Sequence, residues 1–219
     1  MNDEQHVLDR VRAVLGRAGG RSAPPPEPPA IADSIARLVK TTDGLAQTFA
    51  QRAAEQKMIV TETSPSEAAA KVVAFVAQHP IKSVAMAASP LLEKLKLRGA
   101  LESAGLIVKS WEEMTLDELY DFDCAITDVD YAVAESGTLV IKPTRNHGRG
   151  LSLVPMYHIA FVEPKQILPD MVDLFAELAL DADRGNVILI SGPSKTADIE
   201  MNVVTGVHGP NVVNAFVVR

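Results

Sequence analysis

Apolar side chains recur at intervals of three and four residues near the start of the chain, a spacing typical of an amphipathic helix. The positions are Val7, Leu8, Val11, Val14 and Leu15. They predict a helix over residues 4–15, whose apolar face packs either on its own domain or on a partner. Residues 16–30 contain five prolines and three glycines, which favours a linker because proline removes amide donors and extends the backbone. We therefore predict an N-terminal helix and linker over residues 1–30 and a domain over residues 31–219.

From residue 31 onwards the pattern alternates between helices and short apolar strands. In the first half we predict helices over 31–56, after a capping box at Ser64–Glu67, after Ser89 and after Thr115, and strands over 57–62, 82–87 and 106–111. The second half adds strands over 124–127, 138–143, 157–163, 186–191 and 212–218, and one helix over about 169–181. This alternation predicts an α/β fold with a mostly parallel sheet covered by helices on both faces. Ligands of such sheets usually bind at the carboxyl ends of the strands.

Composition narrows the possible functions. The net charge is −7 and no dense stripe of lysine and arginine is present, which argues against a nucleic-acid partner. The single cysteine, Cys124, excludes an intrachain disulfide framework and an iron–sulfur cluster held by this chain alone. The polar start of the chain differs from a signal peptide, and no run approaches the ~18 apolar residues of a membrane span. We therefore expect a cytoplasmic protein with no membrane span.

The first motif with chemical potential lies between two predicted strands, at residues 127–138. Three carboxylates, those of Asp128, Asp130 and Glu135, lie there near strand ends. Gly137 suggests a turn with positive φ that exposes its neighbours, which include Thr138. Glu135 is either a nucleophile, general base or ligand acceptor, or it caps a turn while the aspartates face water.

The second motif follows the strand at 186–191 and combines small residues, hydroxyls and a lysine. Its members are Ser191, Gly192, Ser194, Lys195, Thr196 and Asp198, with Glu200 after them. Such a set of donors suits a phosphate or carboxylate, although the spacing of a P-loop is absent. Asp198 would offset or orient the lysine. The alternative is a tight turn whose hydroxyls cap the next element.

Histidine and arginine residues supply further candidates. His208 lies between glycines and faces either the cleft of Lys195 or water, whereas Arg149, in a mobile-looking loop, can clamp a carboxylate. His158 alternates with apolar residues and is interpreted as a satisfied core histidine. No histidine pair has a recognised ligand spacing, so we predict no metal site. Covalent serine or cysteine catalysis has no support, because no G-x-S-x-G motif is present and Cys124 lies in an apolar strand.

Three stretches together resemble the LUD domain of the lactate utilization protein C family. They are ITDVDYAVAESGTLVI, RGLSLVPMYHIAFV and ILISGPSKTADIEMNVVTGVHGP. The resemblance covers residues 55–219, most specifically from Ala125 onwards. It implies a fold similar to that of the CoA transferases, ribose-phosphate isomerase and glucosamine-6-phosphate deaminase. It also implies participation in the oxidation of L-lactate to pyruvate, beside two partner proteins that carry the iron–sulfur clusters.

The resemblance leaves the role of this chain open between three hypotheses. In the first, the chain is a cluster-free subunit that binds an organic acid, a CoA-like molecule or a phosphorylated ligand. In the second, it is a stand-alone enzyme of CoA-transferase or sugar-phosphate type, with Glu135 near the position of the transferase nucleophile. In the third, it is a scaffold. Two residues depart from the family's pattern, since Lys195 replaces a common arginine and Asp128 a small residue.

Overall fold

The computed structural model describes residues 3–16, 32, 37, 39, 43–180, 185–197, 203–205 and 208–219. The chain forms two compact units, Met1–Ile35 and Ala36–Arg219. The first contains helix α1 (Asp3–Val14), which confirms the predicted helix, and its apolar side chains are exposed, up to 88% for Val14. The linker predicted after Gly16 lies outside the described residues. Whether α1 docks on a partner remains a prediction.

The second unit contains the remaining described elements. The helices are α2 (Leu45–Glu55), α3 (Ala68–Ala77), α4 (Pro90–Lys94), α5 (Leu97–Ser103), α6 (Leu116–Leu119), α7 (Gly150–Leu153) and α8 (Met171–Leu180). The strands are β1 (Ile59–Thr63), β2 (Ser83–Met86), β3 (Ile107–Ser110), β4 (Cys124–Asp128), β5 (Tyr131–Val133), β6 (Thr138–Ile141), β7 (Tyr157–Val162), β8 (Ile167–Leu168), β9 (Ile188–Ile190), β10 (Lys195–Ala197), β11 (Val203–Thr205) and β12 (Val212–Val218). Two 3₁₀ turns, Trp111–Glu113 and Pro164–Gln166, complete the set.

Six of the described strands form one parallel sheet in the order β1-β12-β7-β4-β2-β3. Both faces of this sheet are buried. In strand β12, successive side chains point alternately to the two faces and pack in different core clusters. Phe216 and Val218 pack with α3, α4 and α5 on one side, whereas Val213, Ala215 and Val217 pack on the other. The mostly parallel α/β sheet predicted from the apolar runs is therefore confirmed.

The second face of this sheet is covered by α2 and by another sheet, with strand order β8-β5-β6-β9. The predicted strands at 138–143 and 186–191 belong to this second sheet and pair antiparallel with each other. Strands β5 and β6 also pair antiparallel, because the tight turn Ala134–Gly137 that joins them is too short to cross over to a parallel neighbour. Helix α8 covers the outer side of the second sheet.

Two predicted helices differ from the structure. The helix predicted over 31–56 does not run unbroken, because Gly44, with φ 71°, adopts a left-handed conformation that no α-helix continues through, and α2 begins after it at Leu45. The predicted start at residue 31, like much of the stretch 31–42, lies outside the described residues. Helix α3 begins at Ala68 and not directly after Ser64, because residues 65–67 form a turn in which the Ser64 hydroxyl pairs with the Ser66 hydroxyl at 3.0 Å.

The connections that follow β2 and β4 run towards opposite edges of the parallel sheet. Strand β2 is connected through α4 and α5 to β3 at one edge, whereas β4 is connected through β5 and β6 to β7, which lies towards the other edge. The carboxyl ends of these two adjacent strands therefore flank the point where the direction of winding reverses. Open α/β sheets bind ligands in the crevice that opens there.

Candidate functional site

A small polar crevice lies at this reversal point, between the carboxyl ends of β2 and β4. It encloses about 140 Å³. Its lining residues are Ala88, Ser89, Asp128, Val129, Asp130, Lys142, Thr144 and His147. Two carboxylates, an ammonium, an imidazole and two hydroxyl-bearing side chains thus converge on a space the size of a small molecule.

The loop that follows β6 forms one wall of the crevice and is held by hydrogen bonds on both sides. Thr144 and His147 exchange amide-to-carbonyl bonds of 3.0 and 3.2 Å, and the Ala88 amide after β2 donates to the Asn146 carbonyl at 3.1 Å. Gly148 packs against the ring of Trp111, so closely that a Cβ there would lie 2.1 Å from a ring carbon. The stretch predicted as a mobile loop is therefore anchored, and part of it forms α7.

His147 lies against Asp128, with 3.9 Å between Nδ1 and the carboxylate Oδ1. Burial lowers the pKa of His147, and the charges of Asp128 and Asp130 oppose that shift. The imidazole is therefore neutral near pH 7. Its Nε2 is buried and has no hydrogen-bond partner within the described part of the chain.

Asp130 lies beside Lys142 at the open side of the crevice. Its carboxylate accepts a 2.6 Å hydrogen bond from the Lys142 amide, and the Lys142 Nζ lies 4.0 Å from its Oδ1. Burial raises the pKa of Asp130, against the lowering by the Lys142 amide and the charges of Lys142 and His147. The crevice thus contains a carboxyl group that takes up a proton more readily than an exposed aspartate does.

His158 of β7 is buried behind the crevice, with 1% of its surface exposed. Its Nε2 lies 2.9 Å from the Thr127 Oγ1, and burial lowers its pKa to about 3, with a smaller contribution from the charge of His147. The prediction that His158 lies in the core is therefore confirmed. It is satisfied at one ring nitrogen only, because Nδ1 has no partner among the described residues.

A larger groove adjoins the crevice at the carboxyl ends of β2 and β3, and Ala88 lines both. It encloses about 450 Å³ over an apolar floor of Met86, Leu92 and Leu97. At its rim Arg98 pairs with Glu113 at 2.8 Å. The rim of the groove therefore carries charges of both signs.

The Glu135–Thr138 part of the first sequence motif meets the second motif in the second sheet, away from the crevice, whereas Asp128 and Asp130 of the first motif line the crevice. Strands β6 and β9 pair through Leu139 and Ile190. A chain of hydroxyl groups joins the motifs, since Thr138 Oγ1 lies 2.8 Å from Ser136 Oγ and 2.7 Å from Ser191 Oγ. These hydrogen bonds satisfy the hydroxyl of the buried Thr138. The hydroxyl groups of the two motifs therefore have a structural role that requires no ligand.

The glycines of these motifs are also required by packing. Gly137, with φ 64°, and Gly192, with φ 94°, adopt the left-handed conformation that favours glycine. A Cβ on Gly137 would lie 2.2 Å from the Ala53 amide nitrogen, and one on Gly192 would lie 2.3 Å from the Gln56 carbonyl. Both turns therefore press against the end of α2.

The other predicted ligand residues are dispersed over the surface. Lys195 and His208 are exposed, and the Ser194 amide donates to the Pro210 carbonyl at 2.9 Å, which joins the second motif to the histidine loop. Arg149 is exposed before α7, and Glu135 is half-buried in the β5–β6 turn. Asp198 and the side chain of Thr196 lie outside the described residues. None of the predicted ligand residues that the structure describes lines the crevice.

The crevice includes residues that sequence reasoning missed. The sequence indicated Asp128 and Asp130 as carboxylates at the end of a strand, but it did not predict Ser89, Lys142 and Thr144 as site residues. The available signal was the position of Lys142 directly after the strand that follows the aspartates. Nothing local indicates that this loop reaches the end of β2.

Fold and crevice together define an α/β protein with a candidate ligand site at the reversal point of a parallel sheet. The family model of the LUD domain matches residues 46–218. The chain therefore belongs to the LUD domain family. Within the described residues no helix is long and apolar enough to cross a membrane, and no group of three or more histidine, cysteine, aspartate or glutamate residues is placed to hold a metal ion.

Relatives with assigned names share part of this chain. It is 41% identical over 112 residues to Lactate utilization protein C of Halalkalibacterium halodurans, a match that covers 47% of this chain and 49% of the relative. It is 32% identical over 166 residues to Lactate utilization protein C of Bacillus pumilus, covering 69% and 68%. The first match thus spans about half of the relative's length.

A solved structure supports the fold. The crystal structure of a DUF162 family protein from Deinococcus radiodurans matches 82% of this chain and 99% of that chain, with a TM-score of 0.62 and 19% identity. At this identity the likeness shows the fold and nothing about a ligand.

Proposed function

We propose that this chain takes part in lactate utilisation and contributes by binding a small organic acid in the crevice between β2 and β4. The name of its relatives supports the metabolic role. The convergence of Asp128, Lys142 and His147 on one crevice supports the ligand site. Lys142 supplies a cation for the acid's carboxylate, and the other two side chains supply hydrogen-bonding groups.

Electron transfer is assigned in this proposal to iron–sulfur partner proteins. The only cysteine, Cys124, is buried in β4, and burial raises the pKa of its thiol, so that it stays protonated at neutral pH. A cluster needs several thiolates. In this proposal, this chain binds the ligand and its partner proteins transfer the electrons.

Growth on L-lactate as the sole carbon source tests the metabolic role. A strain that lacks the chain should not grow on L-lactate but should grow on pyruvate, because the block precedes pyruvate. Growth of that strain on L-lactate would exclude the role. Purification of the tagged chain from the native cell under anaerobic conditions should recover proteins with the visible absorption of iron–sulfur clusters, and a colourless preparation would contradict the partner assignment.

Site variants distinguish the crevice from the sequence motifs. In the complemented strain, Asp128→Asn should abolish growth on L-lactate while the purified variant remains folded. Asp121→Asn is the matched control, since Asp121 is exposed in the turn before β4 and outside the crevice. Glu135→Gln tests the alternative of a CoA-transferase-type enzyme. Loss of growth with Glu135→Gln together with normal growth of Asp128→Asn would move the site from the crevice to the β5–β6 turn.

A further inference from the structure

The groove between the carboxyl ends of β2 and β3 encloses about 450 Å³ and adjoins the crevice at Ala88. Small-molecule sites usually enclose about 300–1,000 Å³. The floor of the groove is apolar and fixed in place, because Met86, Leu92 and Leu97 also belong to the buried core. The ligand proposed for the crevice leaves this groove unused, although the groove is the larger of the two cavities.

A charge pair anchors the rim of the groove. Arg98 of α5 donates to the Glu113 carboxylate at 2.8 Å, and the Ser110 amide at the end of β3 donates to the same carboxylate at 2.8 Å. These two bonds tie the 3₁₀ turn after β3 to the start of α5. The turn therefore presents its other carboxylate, that of Glu112, at the rim of a preformed groove.

Lys96 lines the groove in a backbone conformation that favours glycine. Its φ is 54°, and it forms the left-handed link between α4 and α5. Glycine is usual at such a position after a helix, because a side chain there is strained. Strained backbone that is kept in a folded protein concentrates at binding and active sites. Glu93 lines the groove as well, so that an ammonium and a carboxylate lie close together at the rim.

We propose that this groove binds a purine nucleoside, with the base on the apolar floor and the sugar hydroxyls at Glu112. The nucleoside is a second ligand in a separate cavity, and its binding does not depend on the role in lactate utilisation.

The position of Glu112 in the fold supports the contact with the sugar. Strand β2, helices α4 and α5 and strand β3 form a βαβ unit whose first strand lies at the reversal point of the sheet. In doubly wound folds, a nucleotide binds at the end of such a unit, and an acidic residue after the second strand bonds to the ribose. Glu112 follows the second strand here and lines the groove. Its carboxylate can accept from both hydroxyls of a ribose diol.

The floor and the charged side chains beside it suit a purine base. The flat apolar face of the base covers the floor, where the sulfur of Met86 packs well against an aromatic ring. The edge of adenine carries a ring-nitrogen acceptor and an amino donor. Lys96 can donate to the ring nitrogen and Glu93 can accept from the amino group. A sugar without a base would leave the apolar floor uncovered.

The loop after β2 argues against a phosphate on the ligand. In nucleotide sites of this topology, backbone amides after the first strand bind the phosphates. Here the Ala87 amide donates to the Ile126 carbonyl at 2.9 Å, and the Ala88 amide donates to the Asn146 carbonyl at 3.1 Å. Two cations and three carboxylates line the groove, namely Lys96, Arg98, Glu93, Glu112 and Glu113. Their formal charge of −1 also disfavours a phosphate.

Calorimetric titration of the purified full-length chain tests the proposal with four probes. The probes are adenosine, 2′-deoxyadenosine, inosine and adenosine monophosphate. We expect adenosine to bind about tenfold more tightly than 2′-deoxyadenosine, which lacks one hydroxyl of the diol, and about tenfold more tightly than inosine, which lacks the amino group. The monophosphate should bind more weakly than adenosine, because the groove carries net negative charge.

Variants assign the binding to the groove. Glu112→Gln should weaken adenosine binding about tenfold and reduce the preference over 2′-deoxyadenosine. Lys96→Gly should weaken adenosine binding about fivefold, although it relieves the strained backbone and so preserves the fold. Lys57→Gly is the matched control, because Lys57 has a φ of 66° after α2 and is not among the residues that line the groove. It should bind adenosine as the wild type does.

The same titrations can contradict the proposal. Equal affinity for adenosine and 2′-deoxyadenosine would overturn the contact between the sugar and Glu112, and tighter binding of the monophosphate would overturn the choice of a nucleoside. If none of the probes binds, the groove is not a purine site. If Lys57→Gly weakens binding as much as Lys96→Gly does, the site lies elsewhere. The growth tests on L-lactate are independent of all these outcomes, so that either proposal can fail without the other.

Discussion

His158 is buried in the parallel sheet. Because it resists protonation there, the free energy of unfolding should fall as the pH is lowered. Burial lowers its pKa to about 3, whereas a histidine in an unfolded chain titrates near 6.5. Because the folded-state pKa is the lower one, the folded state disfavours the charged form. The stability that the neutral imidazole contributes is complete above pH 6.5 and is lost as the pH falls from there towards 3.

The size of the effect follows from the two pKa values. One pH unit of displacement corresponds to about 1.4 kcal/mol. At pH 4.5 the unfolded histidine is protonated while His158 in the folded protein is still neutral. The two units between 6.5 and 4.5 therefore cost about 2.7 kcal/mol of the free energy of unfolding, relative to pH 7.5.

The substitution His158→Gln removes this titration and keeps an amide that can bond to Thr127. Urea unfolding at pH 7.5 and pH 4.5, at constant ionic strength, measures the loss for each protein. The wild type should lose about 2.7 kcal/mol more than His158→Gln between the two pH values, and His6→Gln should behave as the wild type does. If wild type and His158→Gln lose the same free energy, the imidazole is not held neutral by burial and the reasoning fails.

Three further predictions concern the scaffold of the site. Gly137→Ala should destabilise the protein by about 3 kcal/mol more than Gly105→Ala, because both glycines have positive φ but only Gly137 meets the backbone of α2; equal melting temperatures would exclude the clash. Asp123→Ala should cost about 1–3 kcal/mol in urea unfolding, because its carboxylate accepts two amides at the start of β2, and an unchanged midpoint would contradict this. Cys124 should react with a thiol reagent only after unfolding, so that labelling at the rate of a free thiol in the native protein would show the β4 core to be open.

Local sequence signals predicted most of the individual elements. The capping box at Thr115 starts α6 as expected, because both of its hydrogen bonds lie within four residues. Ser89 and its following proline likewise start α4, where the Ser89 hydroxyl accepts from the Leu92 amide. By contrast, the pattern before residue 45 suggested one helix through Gly44. A single backbone conformation with positive φ overrode the periodicity of the side chains around it.

The sequence indicated that both motifs lie at strand ends, but it did not indicate their role. The Glu135 and Ser191 stretches lie side by side because β6 pairs with β9, which the sequence did not predict. Their glycines and hydroxyls turned out to be engaged in packing against α2 and in bonds to one another. Small residues with positive φ look the same in a sequence whether a ligand or a backbone lies against them, and only the distances distinguish the two cases.

By itself the sequence determined the α/β class, the strands of the parallel sheet and the family, because apolar runs, caps and family motifs are local properties of the chain. The tertiary structure alone decided where the polar crevice lies. The crevice residues Asp128, Lys142 and His147 lie before and after the strand pair β5–β6 in the sequence. They lie near the end of β2 because β4 is next to β2 in the sheet and because the Ala88 amide bonds to the Asn146 carbonyl. The order of strands in a sheet depends on packing between distant segments, and so the site appeared only when the chain was folded.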